Sequence, residues 1–196
     1  MTVAAPLRVL PPTPGVNLAA AERAAAAFLT ALGVTAPADT PGRMARAYAE
    51  LLDPRSFDLT TFPNDEGYDE LVLARDIPVR SVCEHHMLPF VGVAHVGYLP
   101  DARILGLSKL ARVVELQAHR PQVQERLTTQ VADWLHTHLR PRGVGVVVEA
   151  EHMCMTLRGV RAAGTTTITS SVRGALREDP RSRAEFLALT TGSRHG

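Results

Sequence analysis

Residues 69–100 have the sequence "DELVLARDIPVRSVCEHHMLPFVGVAHVGYLP". Its first part, 69–80, alternates between apolar and polar side chains, which is the two-residue period of a β-strand. Its last part has the same character and is bounded by Pro89 and Pro100. The segment therefore predicts two strands, and the connection between them carries the run "CEHH" at positions 83–86.

Helical patterns flank this pair of strands on both sides. Asn17 is predicted to cap a helix that stops at Gly33, and Thr40-Pro41 to begin a second helix that ends near Asp53. After the strands, Ser108 is predicted to cap a helix through residue 119. A longer helix follows, with one buried stripe of apolar residues at four-residue spacing: Val123, Leu127, Val131, Leu135 and Leu139.

The C-terminal part returns to strands. Residues 143–155, "GVGVVVEAEHMCM", and 164–174, "GTTTITSSVRG", are rich in β-forming residues, and Asp179-Pro180 begins a final helix. Hairpins grouped apart from helices favour an α+β fold with an antiparallel sheet over a parallel βαβ fold. We predict an N-terminal flexible lead-in and helical extension over 1–55 and one α+β domain over 56–196.

Composition limits the class of protein. The chain has 196 residues, of which 45% are hydrophobic and 21% charged, as in a globular domain rather than a disordered chain. The net charge of +1 provides none of the excess that nucleic-acid binding usually needs. No apolar run approaches the roughly 20 residues that span a bilayer, and residues 1–15 lack the features of a secretion signal. We therefore expect a cytoplasmic protein that binds neither nucleic acid nor membrane.

The two cysteines have the surroundings of metal ligands. A disulfide is not expected in a reducing compartment. Cys83 and His86 are three positions apart, so one turn can present both to a metal ion, and Cys154 can supply a third ligand. Two thiolates and one imidazole suit zinc, and three protein ligands would leave one position for water, as in catalytic sites. The alternatives are a structural zinc with His85 or His152 as fourth ligand, or no metal.

Two further histidines flank the predicted ligands. His85 precedes His86, and His152 would share a strand face with Cys154 because side chains alternate with a period of two. Histidines beside a metal can transfer protons at neutral pH. The alternative is that one of them only supports a ligand or packs in the core.

Basic and polar residues gather at three predicted helix starts. Helix N-termini favour phosphates, so basic pairs there could bind them, and Arg158 adds a further donor. These positions are Arg43 and Arg46, then Ser108, Lys109 and Arg112. Gln124 and Glu125 lie off the apolar stripe of their helix, where a carboxylate can pair with the edge of guanine. The alternatives are solvated surface charges and ordinary helix-start residues.

Four motifs together resemble the GTP cyclohydrolase I family of zinc enzymes. They are "CEHHMLPFVGVAHVGYLP", "GLSKLARVVELQAHRPQVQERLT", "GVGVVVEAEHMCMTLRGV" and "REDPRSRAEFL". They occur in the order and spacing of the family, and the resemblance extends from about Thr40 to about Leu189. The segment after Arg158, "RAAGTTTITSS", matches only loosely.

The resemblance implies a role for each candidate residue. The implied zinc ligands are Cys83, His86 and Cys154; the catalytic residues are His85, His152 and Ser108; the guanine contacts are Gln124 and Glu125; and the triphosphate contacts are Ser108, Lys109, Arg112, Arg158, Arg43 and Arg46. The implied reaction opens the imidazole ring of GTP, releases formate and rearranges the remainder to 7,8-dihydroneopterin triphosphate, the first step of pterin and tetrahydrofolate biosynthesis.

The resemblance also implies an assembly. Its fold is the tunnelling fold, an antiparallel sheet with helices on one side, in which sheets of several subunits form a barrel. The expected homo-oligomer is a decamer with active sites at subunit interfaces. Two alternatives remain: a related enzyme that stops at a ring-opened pyrimidine, and a non-catalytic module with a structural zinc.

Overall fold

A five-stranded sheet organises the computed structural model, which describes residues 7–9 and 15–191. Its strand order is β7-β4-β5-β8-β9, antiparallel except for the parallel pair of β7 with β4. The strands are β4 (Val72–Cys83), β5 (Pro89–Leu99), β7 (Pro121–Gln122), β8 (Gly143–His152) and β9 (Thr167–Gly174). Two short pairs lie outside it: β1 (Leu7–Val9) with β2 (Phe57–Leu59), and β3 (Thr61–Pro63) with β6 (Arg103–Leu105).

Five of the seven helices among the described residues agree with the predicted positions, and the two four-residue helices were not predicted. These seven helices are α1 (Leu18–Ala31), α2 (Thr40–Leu52), α3 (Ser108–Ala118), α4 (Gln124–Leu139), α5 (Met153–Thr156), α6 (Ala175–Glu178) and α7 (Pro180–Thr191). Hairpin, helix pair and hairpin thus follow one another, which confirms the α+β prediction and the order of elements expected for the tunnelling fold. The predicted lead-in, residues 1–15, lies outside the described residues except for 7–9 and Gly15.

The main core lies between the sheet and one pair of helices. Side chains at even-numbered positions of β5 and β8 point to the same face, because β5 pairs with β8 antiparallel with even positions opposite even ones. This row is fully buried against α3 and α4. It comprises Phe90, Ala94, Val96 and Tyr98 from β5 and Val144, Val146, Val148 and Ala150 from β8. The predicted apolar stripe of α4 completes the core, with Leu127, Val131, Leu135 and Leu139 buried.

The opposite face of the sheet receives α7 through one aromatic ring. Phe186 is completely buried and packs in a smaller cluster with Val147 and Leu176. A Cβ at Gly145 would lie 2.7 Å from this ring, and one at Gly97 would lie 3.2 Å from it. The two paired glycines therefore form a recess in the sheet that accommodates the ring. Helices α3 and α4 pack on one face of the sheet, and α7 contacts the opposite face through Phe186.

Replacing Phe186 by alanine should destabilise the protein by about 3–5 kcal/mol, the usual cost of removing a fully buried aromatic ring. The two glycines cannot fill the space that the ring leaves. Chemical denaturation of Phe186→Ala and of Leu189→Ala, a truncation on the same helix at a side chain that is 45% exposed, provides the comparison. Equal stability of the two variants would show that α7 contributes nothing through this ring.

Two local predictions differ from the structure. Strand β8 ends at His152, so Cys154 lies in the one-turn helix α5 and not on a strand. At the start of α3, Leu107 occupies the capping position, and Ser108 is the first helical residue without a side-chain capping bond. Among the described residues, no helix combines the length and apolar character needed to cross a membrane.

Candidate metal centre and active site

Two free thiols face each other where two elements of the sheet end. Cys83 is the last residue of β4, and Cys154 lies in the turn of helix that follows β8. Their sulfur atoms are 3.9 Å apart, far beyond the roughly 2.05 Å of a disulfide. Two sulfur ligands of a tetrahedral zinc, each about 2.3 Å from the ion, are separated by about 3.8 Å. The thiol pair therefore has the spacing of two zinc ligands.

The histidine that the structure groups with these thiols is His152. Ligand atoms of Cys83, His152 and Cys154 all lie within 4.8 Å of one another. The spacing argument selected His86 instead, and in the structure the Nε2 atom of His86 lies 3.4 Å from Nη1 of Arg158. His85 is also close, with Nδ1 4.0 Å from the Cys83 sulfur. His152 lies near Cys154 as predicted, but not because the two share a strand face. The helical turn α5 brings Cys154 close to His152.

The protonation of the thiols fits a cation site. Burial is the largest effect that raises the pKa of the Cys154 thiol, and the neighbouring Cys83 raises this pKa further. Both effects disfavour a thiolate at Cys154. A bound divalent metal ion reverses this preference by stabilising both thiolates. The donor set of two thiols with adjacent histidines is one that zinc accepts.

His152 is held by contacts on its ring face and its ring edge. Phe90, its direct partner across β5 and β8, stacks on the imidazole with ring centroids 4.5 Å apart. The Nε2 atom of His152 lies 2.7 Å from Oε1 of Gln124. Burial lowers the pKa of His152, and the carboxylate of Glu125 acts in the opposite direction. Phe90 was not among the predicted site residues, although its position opposite His152 follows once the strand register is known.

The predicted guanine pair is divided between the core and the surface. Gln124 is 1% exposed, and its amide nitrogen lies within 3.2 Å of three protein acceptors. Both of its N–H groups are therefore used within the protein, which argues against the predicted side-chain contact to guanine. Glu125, the next residue, is exposed, and no hydrogen bond or ion pair of its carboxylate is found within 7–9 and 15–191.

The start of α4 contacts the turn at residues 83–87, called here the Cys/His turn. Strand β7, just before α4, pairs with the end of β4 so that Gln122 lies beside Cys83. Glu84 in the turn accepts a short bond from Arg126 in the first turn of α4, and this bond lowers the pKa of the Glu84 carboxyl. Sequence reasoning missed this ion pair, because residues 42 positions apart give no local signal.

The basic candidate residues contact different groups within one chain. Arg158 reaches the turn at His86, whereas Arg112 donates to Glu115 at 3.1 Å, and Arg55 contacts the same carboxylate. Ser108 is exposed and Lys109 is half-buried, both in the first turn of α3.

Helix α2 approaches the site through a residue that the sequence did not single out. The Tyr48 hydroxyl donates to the carbonyl of Met87 at 2.8 Å, at the end of the Cys/His turn. Arg43 and Arg46 are exposed on this helix, and Arg43 forms an ion pair with Asp39.

Comparisons with known proteins show the family to which the chain is similar. The sequence model of the GTP cyclohydrolase I family matches residues 21–191. The protein named GTP cyclohydrolase 1 from Streptomyces avermitilis is 62% identical over 156 residues, 77% of each chain. That from Thermobifida fusca is 52% identical over 189 residues, 92% of this chain and 91% of the relative.

Solved structures of low sequence identity are similar over about half of the chain. An archaeosine synthase QueF-like protein in the apo form has a TM-score of 0.43 at 19% identity, covering 53% of this chain and 93% of its own. By its sequence match from residue 21 to residue 191, and by its close relatives, this chain belongs to the GTP cyclohydrolase I family.

Proposed function

We propose that the protein converts GTP and water to formate and 7,8-dihydroneopterin triphosphate. The observation that carries the proposal is the pair of free thiols 3.9 Å apart beside a firmly held histidine, in a chain of this family. A structural zinc normally has four protein ligands. An arrangement of two thiols with several nearby histidines, of which only one need be a ligand, leaves the others for proton transfer.

We assign the metal ligands as Cys83, His86 and Cys154, and the metal as zinc. When bound, zinc polarises water and lowers its pKa towards about 7, which provides a nucleophile near neutral pH. The spacing of Cys83 and His86 in one tight turn supports His86 as the third ligand. The grouping of His152 with the thiols supports the competing assignment, which the first experiment of the Discussion tests.

The remaining residues of the site bind the base and move protons. His152 would deliver a proton to N7 of guanine as the imidazole ring opens at C8, and C8 would leave as formate. His85 and Ser108 would transfer protons during opening of the ribose and closure of its carbons onto the base. The free carboxylate of Glu125 would accept hydrogen bonds from the ring N–H and amine of guanine.

The triphosphate would be held by cations from α2, from α3 and from the segment after α5. Lys109, Arg112 and Arg158 would bind it with Ser108, and Arg43 and Arg46 would complete the contacts. Binding energy from this end of the substrate, remote from the reacting atoms, can orient the base. Arg158 contacts the turn at His86, whereas Arg112 and Arg43 form ion pairs with Glu115 and Asp39. A site shared between subunits would let these cations meet one substrate. We therefore propose a cytoplasmic homodecamer that begins pterin or tetrahydrofolate synthesis.

Removal of the metal should abolish both products. Purified protein is incubated with GTP before chelation, after chelation and after zinc is restored, and formate is measured together with the fluorescent pterin formed on oxidation. We expect the two products in equal amounts, both lost on chelation and both recovered with zinc.

Other outcomes of this assay separate the alternatives. Formate without pterin would identify an enzyme that stops at a ring-opened pyrimidine. Zinc-loaded, assembled protein that releases neither product would overturn the proposed function and favour a structural zinc in a binding module.

A further inference from the structure

The side-chain amide of Gln124 uses its hydrogen-bonding groups within the protein and not toward a substrate. Its Nε2 atom lies 3.0 Å from the Val148 carbonyl, 2.9 Å from the Thr167 carbonyl and 3.2 Å from Oγ1 of Thr169. Carbonyl oxygens only accept hydrogen bonds, so the amide nitrogen must face them and the amide cannot be flipped. The Oε1 atom therefore faces His152.

The neighbouring hydroxyls confirm this direction. Thr128 donates its single hydroxyl hydrogen to the backbone carbonyl of Gln124 at 2.8 Å. In its 2.6 Å contact with Thr169 it must then be the acceptor, so Thr169 is the donor. The remaining capacity of Thr169 is to accept, which matches donation from the Gln124 amide. The hydroxyl hydrogens of Thr128 and Thr169 consequently have one position each, and the two amide hydrogens of Gln124 are shared among three acceptors.

The direction of the Gln124 amide determines the tautomer of His152. An amide oxygen only accepts, so the 2.7 Å contact between Gln124 Oε1 and His152 Nε2 requires a proton on Nε2. In the neutral imidazole the other nitrogen, Nδ1, then carries the lone pair. Stacking on Phe90 holds the ring plane, while the bond to Gln124 fixes rotation within that plane.

We propose that Gln124 is a positioning residue, which holds His152 in the Nε2–H tautomer and leaves Nδ1 as the nitrogen available for chemistry. This role replaces a side-chain contact with guanine. As far as catalysis is concerned, it rests on the proposed function, in which His152 transfers a proton. The tautomer itself follows from the hydrogen-bond directions alone.

The test replaces Gln124 by methionine, which keeps the length and volume of the side chain and removes both polar atoms. With GTP as substrate, kcat should fall about 10–100-fold, as for other residues that orient a functional histidine, while KM changes less than about twofold because substrate contacts remain. The matched control is Thr169→Val, which removes one of three acceptors for the amide but leaves both carbonyls. It should retain the wild-type kcat.

A spectroscopic measurement makes the test independent of activity. In zinc-loaded protein with ¹⁵N-labelled histidine, the His152 signals, assigned by their loss in His152→Ala, should show a protonated Nε2 and an unprotonated Nδ1. Gln124→Met should lose this pattern, whereas Thr169→Val should keep it.

Three results would overturn the proposal. A raised KM with unchanged kcat in Gln124→Met would identify a guanine contact. Equal losses of kcat and thermal stability in both variants would identify a purely structural amide. A proton on Nδ1 in the wild-type protein would contradict the assigned tautomer. Absence of turnover in the wild-type protein would instead refute the proposed function, and the tautomer would still be testable.

Discussion

Alanine at His86 should remove zinc from the protein, whereas alanine at His152 should leave zinc bound and lower formate release by about 10²–10⁴-fold, the usual contribution of a general acid. His86 lies three positions from Cys83 in the same turn, a spacing that lets both side chains bind one ion. His152 is already held by Gln124 and Phe90. Zinc content and formate release are measured on the same purified samples.

The opposite result has a specific structural meaning. His152 is the histidine within 4.8 Å of both thiols, and a metal-bound histidine usually donates its second N–H to an acceptor, as His152 does to Gln124. Zinc lost in His152→Ala and retained in His86→Ala would therefore make His152 the third ligand and exclude it as the acid. The exposed His136→Ala, on the far part of α4, provides the control and should change neither quantity.

Most of the fold could be predicted because its signals are local. Alternation over 72–83 and 89–99, the apolar stripe of α4 and the Asn17 cap are each visible within a few turns of chain, and the structure contains all of them. The packing of Phe186 against Gly97 and Gly145 could not be predicted in this way. It depends on which glycines become neighbours across two strands, and this requires the register of the whole sheet.

The candidate site likewise has some features with local sequence signals and others that depend on distant residues. The proximity of Cys83 and Cys154 could be proposed because few other roles suit two cysteines beside histidines. The end of β8 at His152 could not be seen, because the β-rich pattern continues unbroken into the turn α5. The role of Gln124 depends on the carbonyl of Val148 and residues of β9, which are 24 to 45 positions away in sequence. Roles that depend on such partners become visible only in three dimensions.

Glu125 should determine the preference for guanine over hypoxanthine. Its carboxylate is exposed at the start of α4, near enough to His152 to oppose the lowering of that histidine's pKa by burial. A hydrogen bond to a charged group contributes about 1.5–3 kcal/mol. Inosine triphosphate, which lacks the exocyclic amine, should therefore have a kcat/KM about 10–150-fold lower than GTP in the wild-type protein.

Glu125→Gln should remove most of this discrimination. The glutamine presents one oxygen and one N–H₂ group to two guanine donors, so kcat/KM for GTP should fall about 10–150-fold while that for inosine triphosphate falls much less. Zinc content should stay constant, and Glu185→Gln, an exposed carboxylate on α7, should preserve the wild-type ratio. If Glu125→Gln lowered both substrates equally, the carboxylate would act on the chemical step, through its effect on His152, and recognition of the base would have to come from another group.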